Sequence, residues 1–129
     1  MNASSVDIRD MLEDESSLGL TFTTDLFIGR EPPKPDNCVT IFDTFDKPLL
    51  TLNDQGYYDA SVQVRVRNNS YLTGWELAHD IMVALHGKAG ETWNTTLYTV
   101  IYCSSGPALL DWDENNRARF IINFNLQRR

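Results

Sequence analysis

Two stretches of the chain alternate between apolar and polar positions. Apolar residues occupy the even positions from Tyr58 to Val66, and polar residues occupy the odd positions up to Arg67. The run from Ala118 to Gln127 repeats this pattern except at Ile121. Because successive side chains of a strand point to opposite faces, each stretch predicts a strand with one buried and one solvated face. Such a sheet needs a cover, which is either the chain's own helices or a neighbouring copy.

A helix is predicted between these two strands, over residues 71–86. Ser70 is a candidate N-cap, and Gly87 is a candidate for the residue that ends the helix in the left-handed conformation. The apolar positions recur at helical spacing and predict one buried stripe. Its members are Leu72, Trp75, Ala78, Met82 and Leu85, with Glu76, His79 and Asp80 on the opposite side.

The remaining elements follow from weaker patterns. Ser4 or Ser5 is a candidate N-cap of a first helix, which carries Val6, Ile8, Met11 and Leu12 as an apolar stripe and which Gly19 can end. Strands are predicted at 20–28, 38–43 and 95–103, besides 57–67 and 118–127. The 95–103 strand is apolar on both faces, which predicts a central position. Three segments are predicted to be connectors: the proline-rich 29–37, the long 44–56 loop and 104–116.

This order of elements indicates an α+β fold. Strands grouped together, with helices on one side, favour a mostly antiparallel sheet of about five strands with two helices packed on one face. We expect residues 1–129 to form a single α+β domain, with the N-terminal helix in residues 1–19 and the sheet and second helix in residues 20–129.

Composition and charge narrow the classes of function. The 129 residues are 42% hydrophobic, enough for a real core, and the net charge of −7 argues against a nucleic-acid-binding face. No apolar run reaches the length of a membrane span, and no secretory signal is visible. Cys38 and Cys103 are expected to be free thiols in a cytosolic setting.

Three patterns that could carry chemistry each fail at a defined position. Asp111, Asp113 and Asn115 copy the opening of a calcium loop, but Asn116 replaces its glycine and Ile122 its glutamate. His79 and His86 are too far apart in sequence for a zinc pair. Cys103 and Ser105 lack the strand–elbow–helix context of a nucleophile, because Pro107 follows. We therefore expect no catalytic residue, metal or cofactor, and an enzyme is not predicted.

Candidate contact residues lie in two connectors and one strand. Prolines stiffen the 29–37 connector, which lowers the entropy lost on ordering against a partner. The 44–56 loop holds more leucine than a solvated loop needs, although it is also compatible with folding back on its own core. Two arginines of the 57–67 strand either contact a partner or keep that strand soluble. The candidates are Pro32, Pro33, Pro35, Leu49, Leu50, Leu52, Arg65 and Arg67.

Several segments together resemble a known family. Residues 28–44 (IGREPPKPDNCVTIFDT), the VQVRVR strand, the helix ending in ALHG at Gly87 and the closing DENNRARFIINFNL resemble the minor capsid proteins of tailed bacteriophages. That family is similar to the tail terminators of long-tailed phages. The resemblance spans about residues 18–128 and rests on order and spacing.

The resemblance implies a structural function. Tail terminators form a hexameric ring that caps the tail tube, stops its polymerisation and joins it to the head–neck connector or stopper protein. The implied location is the tail–neck junction of the virion, assembled in the cytoplasm of the bacterial host. Alternatives are a head completion, stopper or other neck protein and, from another class, a small cytosolic ligand-binding module.

A ring of this kind must let DNA pass through its lumen without holding it. The acidic residues that cluster at predicted loops and helix ends are Glu13, Asp14, Glu15, Asp111, Asp113 and Glu114. Like-charge repulsion from such residues would keep DNA from binding the lumen. Arg65 and Arg67 would oppose this, so we expect their face to meet protein and to pair with carboxylates of a neighbour.

Overall fold

The computed structural model describes residues 1–49 and 56–129 and contains two helices and six strands. The elements in chain order are α1 (Ser4–Asp14), β1 (Leu26–Ile28), β2 (Cys38–Pro48), β3 (Tyr58–Asn68), α2 (Tyr71–Leu85), β4 (Glu91–Trp93), β5 (Thr96–Trp112) and β6 (Ala118–Arg128). The sheet has the order β1-β2-β3-β6-β5-β4 and is antiparallel except between β1 and β2. The predicted α+β class is confirmed, with one strand more than expected.

The two alternating stretches form the centre of this sheet. β3 and β6 pair antiparallel with Val64 opposite Ile122, and all even positions from Ala60 to Val66 are buried. In β6 the even positions are buried as well, among them Phe120 and Phe124 with no exposed surface. The phase of both predicted strands is confirmed. Both helices pack on this apolar face, which we call the covered face; the other is the open face.

The strand near residue 100 differs from its prediction. β5 runs to Trp112, through most of the predicted 104–116 connector, and β4 pairs with only three of its residues. It therefore forms most of one sheet edge, not the centre. Four register shifts against β6 explain why its pattern does not alternate, and the Gly106-Pro107 pair lies within the shift between Ser105 and Ala108.

The predicted strand at 20–28 shrinks to its last three residues. The Thr21 carbonyl accepts hydrogen bonds from the N–H groups of Thr24, Asp25 and Leu26, so this part of the chain is a turn. β2, in contrast, is longer than predicted and runs to Pro48. The first five residues of the predicted 44–56 loop therefore belong to one arm of a hairpin with β3.

Helix α2 has the predicted ends but a different buried stripe. Ser70 Oγ accepts a hydrogen bond from the Thr73 N–H, and Gly87 has φ of +89°. The buried residues are Gly74, Ala78, Ile81 and Leu85, whereas Leu72 is 71% exposed and Trp75 39%. A Cβ on Gly74 would lie 2.9 Å from the Phe120 ring, so the helix approaches the sheet along Gly74. This close approach turns Leu72 towards solvent. Trp75 lies at the margin of the core, where its ring meets the Phe120 ring edge-on at a centroid distance of 6.3 Å.

Helix α1 carries the predicted apolar stripe, with Ile8, Met11 and Leu12 buried. No side chain at its N-cap residue forms a capping bond; instead Asp43 of β2 accepts hydrogen bonds from the N–H and Oγ of Ser5 at 2.9 and 2.6 Å. A carboxylate at a helix N-terminus is favoured by the helix dipole. The cap is thus supplied from the sheet rather than by Ser4 or Ser5 as predicted.

A buried polar cluster also fastens α1 to the sheet. Asp7 has no exposed surface and accepts hydrogen bonds from the Tyr98 hydroxyl and from Asn94 Nδ2. Arg128 is next to this pair and binds Asp46 at 2.7 Å. Burial, and then the bond to Asp7, raise the pKa of Tyr98, which keeps the hydroxyl protonated as a donor.

Candidate assembly surfaces

Three arginines hold the proline-rich connector against the open face. We call residues 29–37 the strap. Arg67 of β3 donates to the Asp36 and Pro35 carbonyls at 3.1 and 2.6 Å. Arg117 donates to the Pro33 carbonyl at 2.8 Å, and Arg119 to Glu31 Oε1 at 3.1 Å. The register of the sheet brings Arg67 and Arg119 side by side, so the strap is anchored at one end of the central strands.

Carboxylates neutralise these arginines within the chain. Glu31 lies 3.5 Å from Arg67 and 3.1 Å from Arg119, and Asp111 binds Arg119 through two bonds of 2.6 Å. The hydrogen bond from Arg119 lowers the pKa of Asp111. Burial opposes ionisation of Asp113, but hydrogen bonds from Arg117 and from the Asn115 N–H outweigh it and lower the Asp113 pKa. The strap is thus held by charge-assisted bonds.

The predicted contact residues fall into different environments. Pro33 and Pro35 of the strap are exposed and Pro32 is half-buried. The Arg67 side chain is only 3% exposed and pairs with Glu31, so its carboxylate partner belongs to the same chain. Arg65 is half-buried, lies 4.9 Å above the Phe42 ring and donates to Gln63. Among its described bonds, Arg65 has none to a carboxylate. Its charge is therefore available to pair with a carboxylate of a neighbour.

The leucine-rich loop is described only at its start. Leu49 is half-buried, and its N–H donates to the Tyr57 carbonyl at 2.8 Å, which closes the β2–β3 hairpin. Leu50 and Leu52 lie outside the described residues. The prediction that this segment contacts a neighbour stays a prediction.

Helix α2 presents an outer face that the sequence pattern did not reveal. Leu72, Trp75 and Val83 are 71%, 39% and 60% exposed and recur at helical spacing. Glu76, His79 and Asp80 lie between them and are exposed as well. We call these six residues the α2 outer face. The signal available in the sequence was that apolar residues occur on all sides of this helix.

The open face carries exposed aromatic rings next to cationic groups. Besides Arg65 on Phe42, Lys47 Nζ lies 5.7 Å from the centre of the Phe45 ring, which is 49% exposed. Phe45 also lines a groove of about 300 Å³ together with Val100, Tyr102, Asn125 and Gln127. The end of the open face away from the strap therefore offers apolar surface with positive charge beside it.

The positions that resembled chemical motifs have structural partners. Asp113 accepts hydrogen bonds from Asn115 and Arg117, which makes its segment a turn before β6. His86 Nδ1 accepts from the Cys103 N–H, so the ring faces the backbone and not the thiol. Burial raises the pKa of Cys103, opposite to the shift that activates a thiol. Within residues 1–49 and 56–129, no three metal-ligating side chains come together.

Neither helix in the described part of the chain has the length and apolar character needed to cross a membrane.

The fold recurs in a solved virion structure. A chain in the structure of the virion of a native gene transfer agent particle superposes with a TM-score of 0.65 at 13% identity, covering 98% of this chain and 94% of that chain. At this identity the likeness establishes the fold. None of the curated proteins matches the chain.

The sequence profile of the bacteriophage tail terminator protein family matches residues 10–129, and the chain belongs to that family. The resemblance seen in the sequence is thereby confirmed. The protein is a structural component of a phage virion tail.

Proposed function

We propose that this chain is the tail terminator of a long-tailed phage. Its copies form a closed hexameric ring on the finished tail tube, stop tube polymerisation and present the surface that the head–neck connector or stopper protein binds. The observation that carries the proposal is the family match over residues 10–129, because it includes every strand of the sheet. The site of action is the tail–neck junction of the virion.

The distribution of exposed apolar surface supports a ring. A closed ring requires heterologous contacts, in which two different surfaces of one subunit meet the opposite surfaces of its neighbours. The α2 outer face and the aromatic open face are different surfaces on opposite sides of one sheet. An isologous dimer would need only one such surface.

The strap and the hairpin supply further contacts in this proposal. Pro33 and Pro35 project from a strap that three arginines already hold in place, so little entropy is lost when a partner binds there. Leu49 begins the segment at the end of the hairpin, which we assign to the tail tube or to a neighbouring subunit. Leu50 and Leu52 belong to the same assignment.

Tails made without this protein test the proposal. In a phage whose gene for this chain is disrupted, tails should grow to irregular, excessive lengths and should not join heads. Adding the purified chain to such lysates should restore joining, and electron microscopy should show a ring at the tail end next to the head. Tails of normal length without the protein would contradict a terminator function. A defect confined to filled heads that leak DNA would instead indicate a head completion protein.

A further inference from the structure

The α2 outer face has an unbalanced charge. Glu76 and Asp80 are its ionised residues, and α2 contains neither lysine nor arginine. Glu15, in the segment after α1, lines a shallow groove with Asp80 and Val83 and extends the negative surface. The exposed apolar residues Leu72, Trp75 and Val83 therefore lie within an acidic surface.

The opposite side of the sheet has the complementary character. Four residues of β2 and β3 lie on the open face. Three of them pair with odd, solvent-facing positions of β3, and the fourth is itself such a position. They are Phe42, Phe45, Lys47 and Arg65. We call these four residues the aromatic–cationic stripe. With Asp59, the register partner of Lys47 on this face, the stripe carries a net charge of +1. Asp111, whose charge also interacts with Arg65, is itself paired with Arg119. No ion pair is described for Lys47 or Arg65 within residues 1–49 and 56–129.

We infer that the α2 outer face of one subunit docks on the aromatic–cationic stripe of the next copy of the same chain. Apolar residues would meet the Phe42 and Phe45 rings, and Glu76 and Asp80 would meet Lys47 and Arg65. Lys34, whose side chain is 83% exposed, lies on the strap and pairs with Asp36, outside the stripe. Complementary charge of this kind sets partner and orientation.

Because the α2 outer face and the aromatic–cationic stripe are separate surfaces, the same contact can be repeated between successive copies around a ring. They lie on opposite faces of one sheet, so a subunit that docks through α2 leaves its own stripe free for another copy. The inference rests on the proposed function, since it names the subunit contact of that ring. It also explains why Leu72 and Trp75 remain exposed in the isolated chain.

Two charge-reversed variants test the contact. Glu76→Lys with Asp80→Lys alters only the α2 outer face, and Phe45→Glu with Lys47→Glu alters only the stripe. Asp14→Lys with Glu114→Lys is the control for the first, because both are exposed acids outside the contact. Lys34→Glu is the control for the second. Circular dichroism and thermal melting establish that all variants fold.

Sedimentation of each chain, alone and with tail tubes, measures assembly. Each contact variant alone should assemble at least ~10-fold more weakly than wild type, while the controls assemble normally. Mixing the two contact variants should give stronger assembly than either variant alone, because every junction between unlike copies is either unaltered or joins oppositely reversed charges. Assembly of both variants at wild-type strength would overturn the docking and leave the ring proposal standing. So would normal assembly of the stripe variant alone, which indicates an α2-to-α2 contact. A wild-type chain that never assembles would overturn both.

Discussion

The two faces of the sheet are built on different physical principles. The covered face consists mainly of buried aliphatic and aromatic side chains, and α1 and α2 pack on it. The open face carries polar residues, three arginines that hold the strap and exposed aromatic rings beside cations. The free energy gained by burying apolar surface is large and non-directional, and it determines the fold. The open face contributes less to stability, and it leaves surface available for assembly.

The largest effect should come from a charge on the covered face. Val64→Asp places a carboxylate at a position with no exposure and no cationic partner, which should cost several kcal/mol and unfold the chain. Far-ultraviolet circular dichroism should show both helices and the sheet lost together, as expected if residues 1–129 form one domain.

The neighbouring residue provides the control for that change. Gln63→Asp puts the same group on the open face. This variant should melt within a few degrees of wild type, because Gln63 is only half-buried. Equal melting temperatures for the two variants would contradict the assignment of the faces.

A smaller effect should follow from releasing the strap. Arg117→Ala removes bonds to Asp113, Asp36 and the Pro33 carbonyl and leaves these acceptors without their partner. The expected loss is about 1–3 kcal/mol of unfolding free energy, with faster hydrogen exchange in residues 29–37. Arg30→Ala, an exposed residue of the same strap, should change neither quantity. If hydrogen exchange in the strap is unchanged in Arg117→Ala, the arginines do not hold the strap in place.

Acid should weaken the strap in a defined direction. The pKa values of Asp111 and Asp113 are lowered in the folded chain, so their ionisation contributes stability above the ordinary aspartate range. That contribution is lost as the pH falls below about 4 and through the folded pKa values. Asp113→Asn should therefore flatten the fall of stability in acid, measured by urea unfolding between pH 3 and 7. A variant with the same acid dependence as wild type would contradict the linkage.

The sequence predicted the covered face better than the open face. Alternation identified β3 and β6, and Ser70 and Gly87 marked the ends of α2, because these signals are local. Gly74 decided which stripe of α2 is buried, and its close approach to Phe120 depends on a residue far along the chain. The predicted stripe was wrong at Leu72 for that reason, and Trp75 is only partly buried, against the Phe120 ring.

The strap was missed because its contacts join distant segments. Arg67 and Asp36 are 31 positions apart, and Arg117 and Pro33 are 84 apart. Pairing the two predicted strands in antiparallel register would have put Arg67 beside Arg119, which was the available signal. The length of β5 was hidden by its register shifts, since these remove the period on which strand prediction depends.

The smallest expected effect concerns DNA. With a net charge of −7 and with Arg67, Arg117 and Arg119 paired to carboxylates, the purified chain should not bind duplex DNA at physiological salt. Fluorescence anisotropy with labelled duplex should show no change up to high micromolar protein. A micromolar affinity that falls steeply with added salt would mean that DNA is gripped in the lumen.

The most direct test of the central claim is cryo-electron microscopy of the tail–neck junction in particles that carry this chain. We predict a ring of six copies on the last tube layer, with α2 of each subunit against the open face of the next. A ring of another protein at that position, with this chain elsewhere or absent from the particle, would contradict the account.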